Sequence, residues 1–426
     1  MIADFLIERA DLVATCAGPA PRRGAAQREI SLVRGPATIA SYEGRIVVVG
    51  PEAALEGGIE VTDHAVRIDA RGCTVVPGFV DPHTHLVYAG ERRDELRRRL
   101  AGAAYPEIAA SGGGILRTVE ATRAASEDEL VDAALVRLAE MLAFGTTTCE
   151  VKSGYGLTLE SELRQLRAIR RIDAGQPIDV VPTFLGAHAI PPEYRSRPDD
   201  YVALVVEEMI PEVTRQSLAG FCDVFCERGV FTPAQARTIL SAASRAGLKP
   251  RIHANELASS GGASVAAQVR ARSADHLIFV EPEEADALAA ADVCAVVLPI
   301  AALGLQIGRY APARMLIERG VPVAIGTDLN PGGGLSPSMP AAIALACFAM
   351  HMTLEEALVA ATLNAAWSLD RAGVVGSLER GKRMDAVLLE GDLTELLRIG
   401  TTPVRAVVKG GKICSTGHSD CPGARY

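Results

Sequence analysis

Eight histidines occur in the 426 residues, at positions 64, 83, 85, 188, 253, 276, 351 and 418. Five of them, at 83, 85, 188, 253 and 276, follow apolar runs that read as buried strands. His83 and His85 lie in Asp81-Pro-His-Thr-His85, directly after Thr74–Val80. A spacing of two in an extended chain turns both imidazoles to one side, where they can share one ion. His253 opens His253-Ala-Asn-Glu256, His276 ends Ser273-Ala-Asp-His276, and Asp328 ends Val323-Ala-Ile-Gly-Thr-Asp328. Three imidazoles and one carboxylate, from His83, His85, His253 and Asp328, suit Zn²⁺ or iron with one position left open for water. Such an ion lowers the pKa of a bound water from 15.7 toward about 7. His276 then remains as a proton carrier or as an electrophile toward a substrate. A single His-x-His pair is as readily two hydrogen-bonded core histidines. That reading explains one pair more easily than five histidines and an aspartate placed at strand ends along the whole chain.

Other groups on the same loops suit a small anionic substrate. The guanidinium of Arg92 can hold a carboxylate by two parallel hydrogen bonds, although Glu91, Arg93, Asp94 and Glu95 also make it part of a solvated charge run. Tyr105 and Tyr155 are phenols near the same rim, and Tyr155 sits between two glycines in Lys152-Ser-Gly-Tyr-Gly156. A carboxylated Lys152 could bridge two metals; the simpler reading is one metal and an unmodified lysine.

These residues need a scaffold that brings strand ends together. From Cys73 onward, short apolar runs alternate with amphipathic segments. The expected strands are Thr74–Val80, Thr146–Val151, Asp179–Phe184, Cys222–Cys226, Pro250–His253, Ser273–Phe279, Cys294–Leu298 and Pro322–Thr327. Helix signals lie between them: Ser126 with Glu129 and Thr353 with Glu356 form capping boxes, and Thr232 precedes Pro233 at a first helical position. Eight strand–helix units in about 300 residues fit a closed (β/α)8 TIM-type barrel, with its site at the carboxyl ends of the strands. The first 72 residues and the segment after Arg371 read as short strands, among them Glu29–Val33, Arg45–Val49, Ala65–Ile68, Met384–Leu389 and Val404–Val408. The expected class is therefore α/β, with a barrel over 73–371 and a small β-sandwich built from 1–72 and 372–426.

Composition narrows the partners. A net charge of −9 without a Lys/Arg block argues against nucleic acid or an anionic membrane surface. The longest charge-free stretch, Pro331–Thr353, is broken by glycines and prolines, so no membrane span is expected, and the N-terminus carries Asp4, Glu8 and Asp11 where a signal peptide would be apolar. Nine scattered cysteines without a C-x-x-C pair read as reduced thiols of a cytoplasmic protein. A homodimer is the expectation from the frequency of two-fold assemblies.

The run Pro77-Gly-Phe-Val-Asp-Pro-His-Thr-His85, with a late strand-end aspartate, resembles the amidohydrolase superfamily. Longer segments narrow the resemblance to its branch in histidine degradation: Ser111-Gly-Gly-Gly-Ile115, Gly145-Thr-Thr-Thr148, Glu150-Val-Lys-Ser-Gly-Tyr-Gly156, Gly186-Ala-His-Ala-Ile-Pro-Pro-Glu-Tyr194, Ser273-Ala-Asp-His276 and Thr327-Asp-Leu-Asn-Pro-Gly332. The similarity runs in order from about residue 74 to 370. It implies hydrolysis of 4-imidazolone-5-propanoate to N-formimidoyl-L-glutamate with one zinc or iron ion. It places the metal ligands on His83, His85, His253 and Asp328. Substrate contacts fall on Arg92, Tyr105, Tyr155, His188, Glu256 and Asn330, with the backbone of Gly332 nearby. Asp328 or Glu256 would pass a proton to the departing nitrogen, and His276 would assist at the oxyanion. One departure stands out: Asn330-Pro-Gly-Gly-Gly-Leu-Ser-Pro337 lacks the hydroxyl that relatives carry at position 333 and is about two residues longer. The alternatives are a deaminase of the same superfamily, acting on a purine, a pyrimidine or a formimidoyl amino acid, and a catalytically silent barrel used as a scaffold.

Overall fold

The structure, a computed structural model, describes residues 1–55, 57–103 and 113–416; Tyr105, Ser111 and the tail from 417 lie outside the described residues. The chain first forms β1 (Ile2–Ala14), β2 (Leu32–Tyr42), β3 (Arg45–Pro51), β4 (Glu60–Asp69) and β5 (Cys73–Pro77). It continues with β6 (Phe79–Asp81), β7 (Thr146–Lys152), β8 (Asp179–Ala187), β9 (Phe221–Cys226), β10 (Lys249–Ala254), β11 (Ser273–His276), β12 (Cys294–Val297) and β13 (Val323–Ile325). It ends with β14 (Ala386–Glu390), β15 (Val404–Lys409) and β16 (Lys412–Thr416).

Strands β6 to β13 lie side by side in chain order and pair in parallel, with helical crossovers between them. Parallel neighbours need such crossovers, which cover the outer face and leave the strands buried on both sides. Every residue of β6, β7, β11, β12 and β13 is accordingly buried. The first and last strand ends meet through backbone bonds, Asp328 N–H to the His83 carbonyl at 3.0 Å and His85 N–H to the Leu329 carbonyl at 2.9 Å. This is the nearly closed eight-stranded barrel that the alternation predicts.

Both termini build one separate mixed sheet in the order β16-β15-β14-β5-β1-β2-β3, with β4 also against β1. The strand expected at Glu29–Val33 lies instead at Leu32–Tyr42, after a short helical turn over Gly24–Arg28, and two further features differ from the expectation. The strand β1 is 13 residues long and was not anticipated, because its apolar alternation breaks where the pairing with β2 shifts between Ile7 and Ala10 and Arg9 turns to φ +59°. A bulge of this kind inserts a residue and reverses the alternation. The run Thr74–Val80 is not one strand: Cys73–Pro77 joins the terminal sheet and Phe79–Asp81 joins the barrel. The break falls at Gly78, where a Cβ would stand 2.3 Å from the Thr147 hydroxyl, so only glycine lets the chain pass from one sheet to the other.

The helix starts follow the anticipated chemistry. Ser126, Thr232 and Thr353 each accept a backbone N–H three residues on, and Glu129, Gln235 and Glu356 return the bond. Among the described residues no helix is long and apolar enough to cross a membrane. The eight described cysteines are free, six of them buried.

Candidate metal centre and active site

The candidate side chains converge at the carboxyl ends of β6, β10, β11 and β13. The His83 and His85 rings lie 5.3 Å apart, and the His83 and His253 rings 4.6 Å apart. Asp328 Oδ1 stands 3.5 Å from His83 Nε2 and 3.4 Å from His85 Nε2. Three groups of potential donors lie within 4.8 Å of one another: His83, His253 and His276; His85, His188 and His253; and His83, His85 and Asp328. The backbone is bent to achieve this. Asp328 adopts φ +51° and His276 φ +74°, left-handed conformations that cost a non-glycine residue on the order of 1–3 kcal/mol. At Asp328 the bend is held by its own N–H to the His83 carbonyl and by Asn330 Nδ2, which donates to the Asp328 carbonyl at 2.7 Å.

A second layer of buried charge orients the imidazoles. His83 Nδ1 lies 2.6 Å from Asp275 Oδ2, and His253 Nδ1 lies 3.1 Å from Asp223 Oδ1. A carboxylate only accepts, so each Nδ1 carries the hydrogen and each Nε2 keeps a bare lone pair. Those two Nε2 atoms and Asp328 Oδ1 are buried without a hydrogen-bond partner among the described residues. Unpaired buried polar atoms are costly, and a bound cation would satisfy them. The donor set therefore fits a single divalent ion of the zinc or iron kind.

Beneath this layer, Lys152 Nζ lies 2.6 Å from Glu150 Oε1 and 2.7 Å from Asp223 Oδ2, while Arg251 Nη2 lies 2.8 Å from the Pro82 carbonyl and 3.3 Å from Asp275 Oδ2. Burial works against the Lys152 ammonium, yet Asp223 and Glu150 hold its pKa above the usual lysine value. A charged lysine gripped by two carboxylates acts here as an ion-pair partner. Sequence reasoning passed over Asp223, Asp275 and Arg251 as site residues. A usable signal was present: Arg251 stands two positions before His253, and Asp223 is a lone acid in the apolar strand Phe221–Cys226.

Burial also sets the protonation of the central groups. It lowers His83, His85 and His276 well below the usual imidazole range, with neighbouring cationic groups adding to the effect. It pushes Asp328 up to about 7, and it raises Glu256 well above the usual carboxyl range with help from Asp328 and Glu227. Glu256 Oε1 is 3.6 Å from His276 Nδ1.

The loops supply the rim. His188 stacks on His85 with ring centroids 5.0 Å apart, and Tyr155 lies 5.2 Å from His188. Arg92 is buried, with Nε 2.9 Å from Glu95 Oε2 and Nη2 2.8 Å from the same oxygen, so the Nη1 side remains for another anion. Gly332 lies against that side; a Cβ there would stand 2.6 Å from Nη1. Asn330 is largely used by its own loop, because Oδ1 accepts from Gly332 N at 2.7 Å and Gly333 N at 2.8 Å. The glycines of this loop are tightly packed: a Cβ at Gly333 would meet the Leu305 side chain at 2.8 Å, and one at Gly334 would sit 1.5 Å from the Asp328 carbonyl. Tyr105 lies outside the described residues.

Comparisons with known proteins place the chain as a whole. The model of the Amidohydrolase family matches residues 74–414. A protein of Chloroflexus aggregans named imidazolonepropionase is 47% identical over 425 residues, covering 97% of this chain and 99% of the relative. A protein of the same name from Geobacillus kaustophilus is 50% identical over 373 residues, covering 87% and 88% of the two chains. Among solved structures, an adenosine deaminase from Xanthomonas campestris with bound zinc superposes with a TM-score of 0.71 at 20% identity, covering 97% of this chain and 93% of that one. That likeness concerns the fold alone.

Proposed function

This chain belongs to the amidohydrolase family, and on that premise we propose that, like the curated imidazolonepropionases it resembles over nearly its full length, it opens the cyclic amide of 4-imidazolone-5-propanoate with water to give N-formimidoyl-L-glutamate in histidine breakdown. The observation that carries the reading is the set of buried acceptors at His83 Nε2, His253 Nε2 and Asp328 Oδ1, unpaired among the described residues and belonging to overlapping donor groups linked through His83. His83, His85, His253 and Asp328 would hold one zinc or iron ion. When bound, such an ion polarises a carbonyl and makes water a nucleophile near neutral pH.

The chain's own residues do the rest. The Nη1 side of Arg92, with Tyr155 and Tyr105, binds the propionate and leaves the ring over the strand ends. His188, Asn330 and the Gly332 backbone border the ring. Neutral His276 has one N–H to offer to the carbonyl oxygen as charge develops there; such help is worth about 3–4 kcal/mol. Asp328 can accept a proton from the attacking water. Glu256 keeps its proton toward neutral pH and can pass it to the departing ring nitrogen. The buried walls exclude bulk water from the reacting amide.

The test mixes purified protein with 4-imidazolone-5-propanoate and follows loss of the ring chromophore, before and after chelation. Chromophore loss without ammonia, abolished by the chelator and restored by zinc or iron, is expected. Ammonia release from a purine, pyrimidine or formimidoyl amino acid, with the imidazolone untouched, would replace the reading with a deaminase.

A further inference from the structure

The loop after β7 carries Tyr155 and faces His188, and its backbone is gripped with unusual completeness. Ser153 N–H bonds the Thr183 carbonyl at 3.0 Å. Glu162, on the first turns of the helix Leu159–Gly175, accepts the other backbone N–H groups but one: Gly154 N at 3.0 Å on Oε2, and Gly156 N at 2.8 Å and Leu157 N at 2.7 Å on Oε1. Gln165 Oε1 accepts the remaining one, Tyr155 N, at 3.1 Å. Every N–H from 153 to 157 is thus assigned, three of them to one buried carboxylate. A carboxylate accepting several backbone N–H groups at a helix start is held by both the bonds and the helix dipole.

The grip has a chemical consequence on the far side of the loop. Gly154, at φ +110°, turns its carbonyl to His188 Nδ1 at 3.1 Å. A Cβ at 154 would stand 3.0 Å from that nitrogen and 2.9 Å from the Leu185 carbonyl, so glycine is what allows the approach. A carbonyl oxygen can only accept. The nitrogen facing it must carry the hydrogen, and the other nitrogen of a neutral ring is then a bare acceptor.

We propose that Glu162 is a positioning residue which, through the 153–157 loop and the Gly154 carbonyl, fixes His188 as its Nδ1-protonated tautomer and so presents substrate with a hydrogen-bond acceptor at Nε2. The ligand chemistry this selects is a heterocycle with a ring N–H, such as a lactam or imidazolone, over one that offers only acceptors. Glu162 touches neither substrate nor the proposed metal ligands; its effect runs through backbone. The preference for a ring N–H rests on the proposed function, whereas the tautomer does not.

The experiment is a nitrogen-15 histidine spectrum of the whole protein, with the His188 signals assigned by their disappearance in His188→Asn. The wild type is expected to show a neutral His188 with the hydrogen on Nδ1. In Glu162→Gln an amide nitrogen replaces one acceptor oxygen, and the spectrum should shift to a mixture of tautomers. In parallel, KM for 4-imidazolone-5-propanoate should rise about 10–100-fold with metal content unchanged. Should Glu162→Gln fail to fold, Gly154→Ala pushes the same carbonyl away and should give the same mixture. An Nε2-protonated His188 in the wild type overturns the proposal, as does an unchanged His188 signal in a folded Glu162→Gln protein. Absence of imidazolone turnover in the wild type would refute the proposed reaction instead, and the spectrum would still decide the tautomer.

Discussion

The floor of the site and its rim are built in different ways. On the floor, His83, His85, His253 and Asp328 leave strand ends, and other strand residues back them: Asp275 behind His83, Asp223 behind His253, Lys152 and Arg251 below. Strand geometry places these groups, since positions two apart share a face and parallel neighbours repeat every strand. On the rim, Arg92, Tyr155 and His188 leave irregular segments, and what places them is the capture of loop backbone by side chains, most of them a few residues along the chain. Glu162 and Gln165 hold the Tyr155 loop, Asn330 holds the glycine loop, and Glu95 ties Arg92 to Gly114 N at 2.9 Å. The floor is therefore a matter of electrostatics in a dry interior, and the rim a matter of loop conformation.

Substitutions on either level should separate along that line. The largest effect is expected at Asp275. Its replacement by Ala removes the acceptor behind His83 and leaves Arg251 and Lys152 short of a counter-charge, so metal affinity should fall about 10–100-fold and stability by about 3–5 kcal/mol. Metal titration with denaturant unfolding reads both; a protein that keeps both would show that the floor is not an electrostatic unit. On the rim, Arg92→Lys keeps the charge but loses the forked geometry. KM should rise on the order of 10-fold with metal content and unfolding midpoint unchanged, and a variant that loses metal instead would break the distinction between levels.

A smaller, pH-dependent effect should come from a carboxylate remote from both. Glu356 caps the helix Leu354–Ala360 and pairs with Arg28 and Arg314. Burial alone would raise its pKa, but the hydrogen bonds from Arg314, Thr353 and Arg28 bring it down to about 2. A depressed carboxylate stabilises the fold above its unfolded pKa, near 4.3, and that contribution disappears as pH falls toward 2. Wild type should lose about 1–2 kcal/mol over that interval relative to Glu356→Gln, which lacks the titrating group. Parallel acid limbs in the two unfolding profiles would remove Glu356 from the account.

The same contrast explains what could be read from the chain. The histidines and Asp328 proposed as ligands were visible because they interrupt apolar runs at strand ends, and because eight alternations admit few architectures, whereas the floor's supports Asp223, Asp275 and Arg251 were not singled out. The helix starts at 126, 232 and 353 were visible because a cap and its return partner are three residues apart. The supports of the rim were not. Glu162 looks like any acid on an amphipathic helix, and only the folded loop shows that its carboxylate meets three N–H groups. Strand β1 was hidden by the bulge at Arg9, and the division at Gly78 by an unbroken run of apolar residues across two sheets. Local periodicity carries no record of either.

The bonds between β6 and β13 have a further consequence. Asp328 N to the His83 carbonyl and His85 N to the Leu329 carbonyl run through residues on the proposed ligand list, so an ion held there would join the seam of the cylinder to its own binding site. An ion that binds only the folded chain adds its binding free energy to the fold, and here it does so as a clasp across the first and last staves. Stripped of metal, the protein should loosen first along that line, with amide exchange rising at 83–85 and 328–330 before it rises in the staves opposite.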